Sequence, residues 1–444
     1  MSHRLSAMPE MIWKAIASFG LRFVALGLQF LGSIMIARHL GAESFGAYIF
    51  AYTCASLAGA CLSLGMAELS MREVPIFAEH KNRAGLRRYF KVQLGTIVVM
   101  SCVVALGFFL LEQFGVLILA PGWALVAIFA LANVLVLTAE KNMAGFQRIV
   151  TARLFDSILR PALYVLTVAA FLFWEQALSP TQLLVIATFA ALAAAIAMWS
   201  WVARLIKALP QSGRQSDDTA QHRRWWYIAS IPMMLTTMIN MLLMDMDVIM
   251  IGLLLGDGDV GIYRPAVRGV ALVNLANLAA VQTLGPMLAR ALARQDTKGA
   301  QVLMGQAVTI TTALGLVICV ALAFGGDLYL GLFGDEFRAA RPALIILIAG
   351  QACAILGGGA GAVLVMLKRE RWVLGINVAA IALNIGLNIF LIPIWGLQGA
   401  ACATALSLVF AKIALVICVR QLSDFDPTIV FPLKRLLTRA RPRS

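Results

Sequence analysis

The chain has 444 residues, 61% of them hydrophobic and only 13% charged, with a mean hydropathy of +0.87. A water-soluble domain cannot bury so much apolar surface, so the composition excludes a soluble enzyme or binding module and indicates a polytopic membrane protein. The net charge of +14 does not indicate a nucleic-acid partner, because the Lys and Arg residues are dispersed among short segments between apolar runs.

Twelve apolar segments, each about 20 residues long, are expected to cross the bilayer. They run approximately over 14–36, 46–69, 92–111, 120–139, 157–174, 180–203, 228–255, 262–288, 301–325, 342–367, 372–392 and 396–419. With the N-terminus inside, 29 of the 36 Lys and Arg fall in inner segments, four in outer loops (Arg38, Arg264, Arg338, Arg341) and three within spans (Arg22, Arg268, Lys412). This is the positive-inside distribution. It predicts two cytoplasmic termini and contact with anionic headgroups. The first span is too long for a signal peptide and lacks a cleavage site, so it is expected to remain.

In the first span Ser18, Arg22, Gln29 and Ser33 lie on one helical stripe. Arg22 sits about 12 Å beyond Lys14 by helical rise, deep for a snorkelling side chain, and is expected to face a watery cavity. The turn LGAESFGAY at Leu40–Tyr48 recurs as LGDGDVGIY at Leu255–Tyr263, with Gly41, Gly46, Tyr48 and Ala51 matching Gly256, Gly261, Tyr263 and Ala266. The offset is the same for all four pairs, which implies two parallel six-helix repeats. The expected organisation is an N-terminal six-helix bundle over 1–206, a cytoplasmic linker over 207–227, a second bundle over 228–419 and a basic cytoplasmic tail over 420–444. The basic stretch Arg72–Lys91 reads as an interfacial helix. Trp225, Trp226 and Tyr227 read as headgroup-level belt residues. All seven cysteines fall in apolar segments as small hydrophobes, and the four histidines lie outside the spans, so neither a disulfide nor a metal site is expected.

The seventh span places Thr236, Asn240 and Asp247 on one stripe, with Asp245 rotated about 200° away. Asp247 is the expected cavity-facing acid and Asp245 the alternative. Charges at the bilayer centre are costly and mark functional positions. In the eighth span Arg264, Arg268, Leu275 and Gln282 align. The tenth carries GGGAG at Gly357–Gly361, read as close helix packing or, less favoured, a flexing point. The eleventh aligns Asn377, Asn384 and Asn388, and the twelfth carries Lys412 about 12 Å from Arg420.

The motifs ARHLGAESFGAY, DVIMIGLLLGDGDVGIYRPA, TLGPMLARAL at Thr283–Leu292 and NIFLIPIWGLQGAACATALS at Asn388–Ser407, in this order on these spans, resemble the polysaccharide and O-antigen flippases of the multidrug/oligosaccharidyl-lipid/polysaccharide exporter superfamily. The resemblance implies two six-helix bundles around a central cavity, working by alternating access. It also implies a cargo of undecaprenyl-diphosphate-linked oligosaccharide moved to the outer leaflet of a bacterial inner membrane. Related lipid II flippases use a first-helix arginine, which Arg22 resembles, but they tend to have fourteen spans against the twelve here. On this reading Arg22, Gln29, Arg264, Arg268, Gln282, Asn384, Asn388 and Lys412 contact diphosphate and glycan. Asp247, Asn240 and Asp245 serve as counter-ions or as a proton or sodium site, with no other cofactor. Glycosyltransferases and a glycan polymerase of the same pathway are the expected partners. Three other readings compete. A multidrug exporter suits the fold, but its often cationic cargo calls for an acidic cavity. A membrane polymerase or ligase needs a large outer loop, whereas the longest here is about 326–341. A channel fits the internal repeat poorly.

Overall fold

The computed structural model describes residues 2–174, 178–210, 219–273 and 297–423, and every regular element among them is a helix. The chain divides into two compact units, Met1–Leu242 and Leu243–Ser444.

The first unit opens with α1 (Ser2–Leu62), which holds two expected spans in one element. They meet at Gly41, whose φ of 75° and ψ of 174° break the helical path without a loop. Only glycine occupies that region without strain. Then follow α2 (Met66–Glu79), α3 (Arg83–Gln113), α4 (Trp123–Gly145) and α5 (Ile149–Arg153). A π-helical turn at Leu154–Leu159 joins α5 to α6 (Arg160–Phe173). The next helix, α7 (Pro180–Ala208), starts on a capping box in which Ser179 and Gln182 satisfy each other's backbone N–H.

The core of this unit is α4, packed against α7, α2, α1 and α3. Ala187, Ala190, Ala191, Ala194 and Ala195 of α7 are buried, and such small side chains let two apolar helices approach closely without water to drive them together. By contrast α3 turns Val98, Val99, Val103 and Leu106 outward, each more than half exposed, as a lipid-facing helix should.

The basic stretch Arg72–Lys91 is not one interfacial helix. It comprises the end of α2, a turn through Lys81 and the start of α3. α2 buries Met66, Leu69 and Val74 on the bundle.

The division between the two units falls inside α8 (Thr219–Leu254), whose first half packs on the first unit. The reason is local packing. Gly65, with φ 76°, lies so close to α8 that an added Cβ would sit 2.1 Å from the Ser230 carbonyl oxygen. Trp226 is buried, edge-on to Tyr89 and Phe77, and its indole N–H donates to Glu73 at 3.2 Å. Tyr227 shares a 2.8 Å hydrogen bond with Thr96. Two of the three expected belt residues are therefore packed on helices. Trp225 alone is exposed, beneath the Arg72 guanidinium at 4.8 Å.

The second unit continues with α9 (Asp257–Ala271), α10 (Thr297–Gly331), a 3-10 turn at Asp335–Ala340, α11 (Arg341–Leu356), α12 (Ala360–Met366) and α13 (Glu370–Leu422). Gly396 breaks α13 with φ 55° and ψ −132°, so this element also holds two spans. The glycine run 357–361 ends α11, with Gly358 at φ 59°, and lies against Lys412 and Val416. It both breaks the helix and lets α13 approach.

Among the described residues nine helices are long and apolar enough to cross a membrane. Two of them are the double spans broken at Gly41 and Gly396, and the eighth expected span is described only as far as residue 273. The protein is an all-helical polytopic membrane protein. The repeat is visible in backbone geometry. Gly41 and Gly256, which match in the two repeats, both combine positive φ with ψ near 180°. Tyr48, Ala51, Tyr263 and Ala266 are all buried.

Candidate functional site: a buried carboxylate network and its flanking cations

The Gly256 corner turns α9 back against α8, and this sets the geometry of the site. Asp247, only 4% exposed, accepts one hydrogen bond from the Val248 N–H at 2.9 Å and one from the Tyr263 hydroxyl at 2.9 Å. Thr404 of α13 reaches the Tyr263 hydroxyl from the far side. Asn384 donates to Thr404 at 3.3 Å and to Ser407 at 3.2 Å, and Asn388 donates to the Asn384 side-chain oxygen at 2.9 Å. A continuous polar chain thus runs from Asp247 to Asn388 through α8, α9 and both halves of α13, inside an otherwise apolar bundle. Such a network is tolerated only where its members satisfy one another. The Asn388 oxygen is buried with no hydrogen-bond partner among the described residues.

Asp245 has a different environment. Its carboxylate pairs with the Arg264 guanidinium at 2.6 Å, with side chains 33% and 16% exposed. The two aspartates, two residues apart, therefore face different neighbours, as their helical phase requires. Asp247 is one of the expected counter-ions. In this conformation its partners are a phenol and a backbone N–H, and the close ion pair belongs to Asp245.

The other expected site residues divide as follows. Asn384 and Asn388 were expected to meet sugar hydroxyls, but they are 8% and 0% exposed and lie within the network. Equal spacing on a helix cannot distinguish a cavity face from an inter-helix face. Gln29 and Asn240 are exposed. Arg268 is half-buried near the Tyr329 hydroxyl, which donates to the Pro265 carbonyl at 2.9 Å. Gly269 makes room for that ring. Lys412 is half-buried beside the glycine break, with no hydrogen-bond or ion-pair partner among the described residues. The side chains of Ser18 and Arg22, all of Leu275 and Gln282, the motif at Thr283–Leu292, part of the linker and most of the tail lie outside the described residues. Sequence reasoning missed Tyr263 and Thr404 as partners of the acid. Recurrence of the tyrosine in both repeat turns was the available signal for the first.

Comparison with known proteins bears on what such a bundle does. The family described as "Polysaccharide biosynthesis protein" matches residues 13–292, more than half of the chain. The chain belongs to the polysaccharide biosynthesis protein family. A second family, MatE, matches residues 232–390 of this polysaccharide biosynthesis protein. Among curated proteins it is 29% identical over 163 residues to a probable low-salt glycan biosynthesis flippase of Haloferax volcanii. That match spans 36% of this chain and about a third, 34%, of the relative's length. Its fold is similar to an inward-facing multidrug resistance MATE family transporter (TM-score 0.68, 14% identity, 92% of this chain and 97% of that one). It is equally similar to the lipid II flippase MurJ in an inward closed conformation (TM-score 0.68, 15% identity, 92% and 87%). A transporter of the same superfamily from Pyrococcus furiosus gives a TM-score of 0.61 at 14% identity over 92% and 95%. In fold, then, this family member is similar to solved transporters.

Proposed function

We propose that this protein flips a lipid-linked oligosaccharide, carried on undecaprenyl diphosphate, from the cytoplasmic to the outer leaflet of a bacterial inner membrane by alternating access. The cell-surface glycan would be an O-antigen, lipopolysaccharide or exopolysaccharide component, delivered by glycosyltransferases and consumed by a polymerase. The observation that carries the reading is family membership in polysaccharide biosynthesis combined with cations inside the spans. Arg22, Arg268 and Lys412 sit at positions where charge is costly unless a ligand or cavity uses it. A diphosphate suits arginine, whose guanidinium binds phosphate oxygens through two parallel hydrogen bonds.

The two aspartates then take separate roles. Asp245 holds Arg264 in a partly buried ion pair that an incoming diphosphate displaces, so Arg264 stays neutralised while the carrier resets empty. Asp247, held by Tyr263 inside the bundle, is the coupling carboxylate for a proton or sodium ion, and Thr404 and the asparagines supply further oxygens. The membrane potential adds to the drive. Two negative charges moving outward from a negative interior gain about 4–5 kcal/mol per 100 mV.

The test is transport of a fluorescent polyprenyl-diphosphate glycan in proteoliposomes under an imposed potential, with and without a cation gradient. Flux should rise with the potential, and Asp247→Asn should lower turnover more than cargo affinity. Arg22→Ala and Arg268→Ala should abolish flux at normal membrane levels, whereas the Lys variants keep part of it. Flux indifferent to potential and cation gradient, with a fully active Asp247→Asn protein, would overturn the coupling scheme. Full activity of both Ala variants would remove the arginines from cargo binding.

A further inference from the structure

A cavity lies in the first unit. It is a groove of about 900 Å³ along the basic end of α3, lined by Leu64, Arg87, Arg88, Lys91, Val99 and Tyr227 among others. Its size falls within the range of small-molecule sites. The mouth carries the three cations, all exposed and none with an ion-pair partner among the described residues. Nearby cations are engaged: Lys141 pairs with Glu68 at 2.8 Å, and Arg72 lies over Trp225 and near Glu73.

Their position breaks a local rule. Cations are disfavoured at a helix N-terminus, where the macrodipole is positive, yet α3 begins at Arg83 with no acid in its first turn and adds Arg87, Arg88 and Lys91 over the next two turns. A cluster placed against its own helix dipole concentrates positive potential for an anion.

Beyond the cations the groove changes character along one path. Thr96 and Tyr227 present hydrogen-bonded hydroxyls, Thr96 lying about 7 Å past Lys91 by helical rise. Val99 and Met100 then form an apolar wall on a helix that faces lipid. Gly95 lies between, and a Cβ built there meets nothing within 4 Å. A mid-helix glycine carries an entropic cost, and here its missing side chain keeps the groove open.

We propose that this groove is a specific site for an anionic glycerophospholipid of the leaflet that faces the basic loops. The phosphate sits among Arg87, Arg88 and Lys91, the ester region against Thr96 and Tyr227, and an acyl chain along Val99 and Met100. The order phosphate, polar ester, hydrocarbon reproduces the sequence of groups along the groove. The lipid is a resident ligand, not the transported cargo.

Native mass spectrometry of the full-length protein, titrated with dioleoyl phosphatidylglycerol or dioleoyl phosphatidylcholine, tests the assignment. Each basic residue near a membrane surface contributes about fivefold to anionic-lipid affinity, so the three together give a preference on the order of a hundredfold. Arg87→Gln/Arg88→Gln/Lys91→Gln should abolish the preference for phosphatidylglycerol. Gly95→Phe leaves every charge in place but fills the groove, and should weaken phosphatidylglycerol binding at least tenfold. Both variants should melt within a few degrees of wild type, since the cations are exposed and the glycine faces open space. Equal binding of the two lipids by wild type, or unchanged phosphatidylglycerol affinity in either folded variant, would overturn the proposal. So would displacement of bound phosphatidylglycerol by equimolar undecaprenyl diphosphate, which would assign the groove to cargo.

Discussion

Replacing Tyr263 by Phe isolates the contact on which the buried carboxylate depends. The phenol lies 2.9 Å from Asp247, and both residues are buried, so no solvent replaces the lost donor. A hydrogen bond to a charged group contributes about 1.5–3 kcal/mol, and stranding its buried acceptor brings a penalty of the same order. The second unit, Leu243–Ser444, is of a size for which each kcal/mol corresponds to roughly 2–4 °C. Tyr263→Phe should therefore lower the melting temperature in detergent by about 3–12 °C. Steric change is small, because only one oxygen is removed. Repeating the substitution in an Asp247→Leu background separates the hydrogen bond from general packing. There the phenol has no acid to serve, and the cost should fall by at least about 1 kcal/mol. Additive melting shifts in the two backgrounds would show that Asp247 does not depend on the tyrosine, and the network would lose its central link.

Other outcomes follow from single contacts. Gly65→Ala should destabilise by more than about 2 kcal/mol, since the residue needs positive φ and its Cβ meets the Ser230 carbonyl oxygen, whereas Gly95→Ala should gain about 0.5–1 kcal/mol; paired melts decide, and a benign Gly65→Ala would disprove the close crossing of α8. If the partly buried Asp245–Arg264 pair serves cargo and not the fold, it should show a coupling energy of at most about 1 kcal/mol in a double-mutant cycle on stability while its variants alter cargo affinity; coupling above about 2 kcal/mol would make it a structural pair instead. Reporter fusions near Gln215 and Arg369 should report cytoplasm, and those near Ser179 and Gly258 the outer side; one reversed reporter breaks the twelve-span topology.

The spans were legible because the bilayer leaves few alternatives: about twenty apolar residues must form hydrogen-bonded helix. The corners were legible too, since a glycine followed by a repeated turn is both a conformational and a sequence signal. The neighbours of each polar stripe were not. Helical phase separated Asp245 from Asp247, but the element facing each is fixed by inter-helix packing, so Tyr263 and Thr404 were invisible as partners. Asn384 and Asn388 illustrate the same gap, because amides turned to a cavity and amides turned to a neighbouring helix share one spacing. Trp226 was misread because belt composition and interior packing use the same residue. Its partner Glu73, an acid buried on α2, is explained only once the indole N–H is seen.

The duplicated turn has a consequence for symmetry. The offset that carries Tyr263 onto Tyr48 carries Asp247 onto Gly32. A Cβ at Gly32 would already lie 2.9 Å from the Val165 side chain, so the first bundle has no room for a second acid at that place. Tyr48 instead stacks on Tyr164 with ring centroids 6.2 Å apart. At this place the two halves match in backbone but not in charge, so a device built on this carboxylate belongs to the second unit and has no counterpart at the equivalent position of the first.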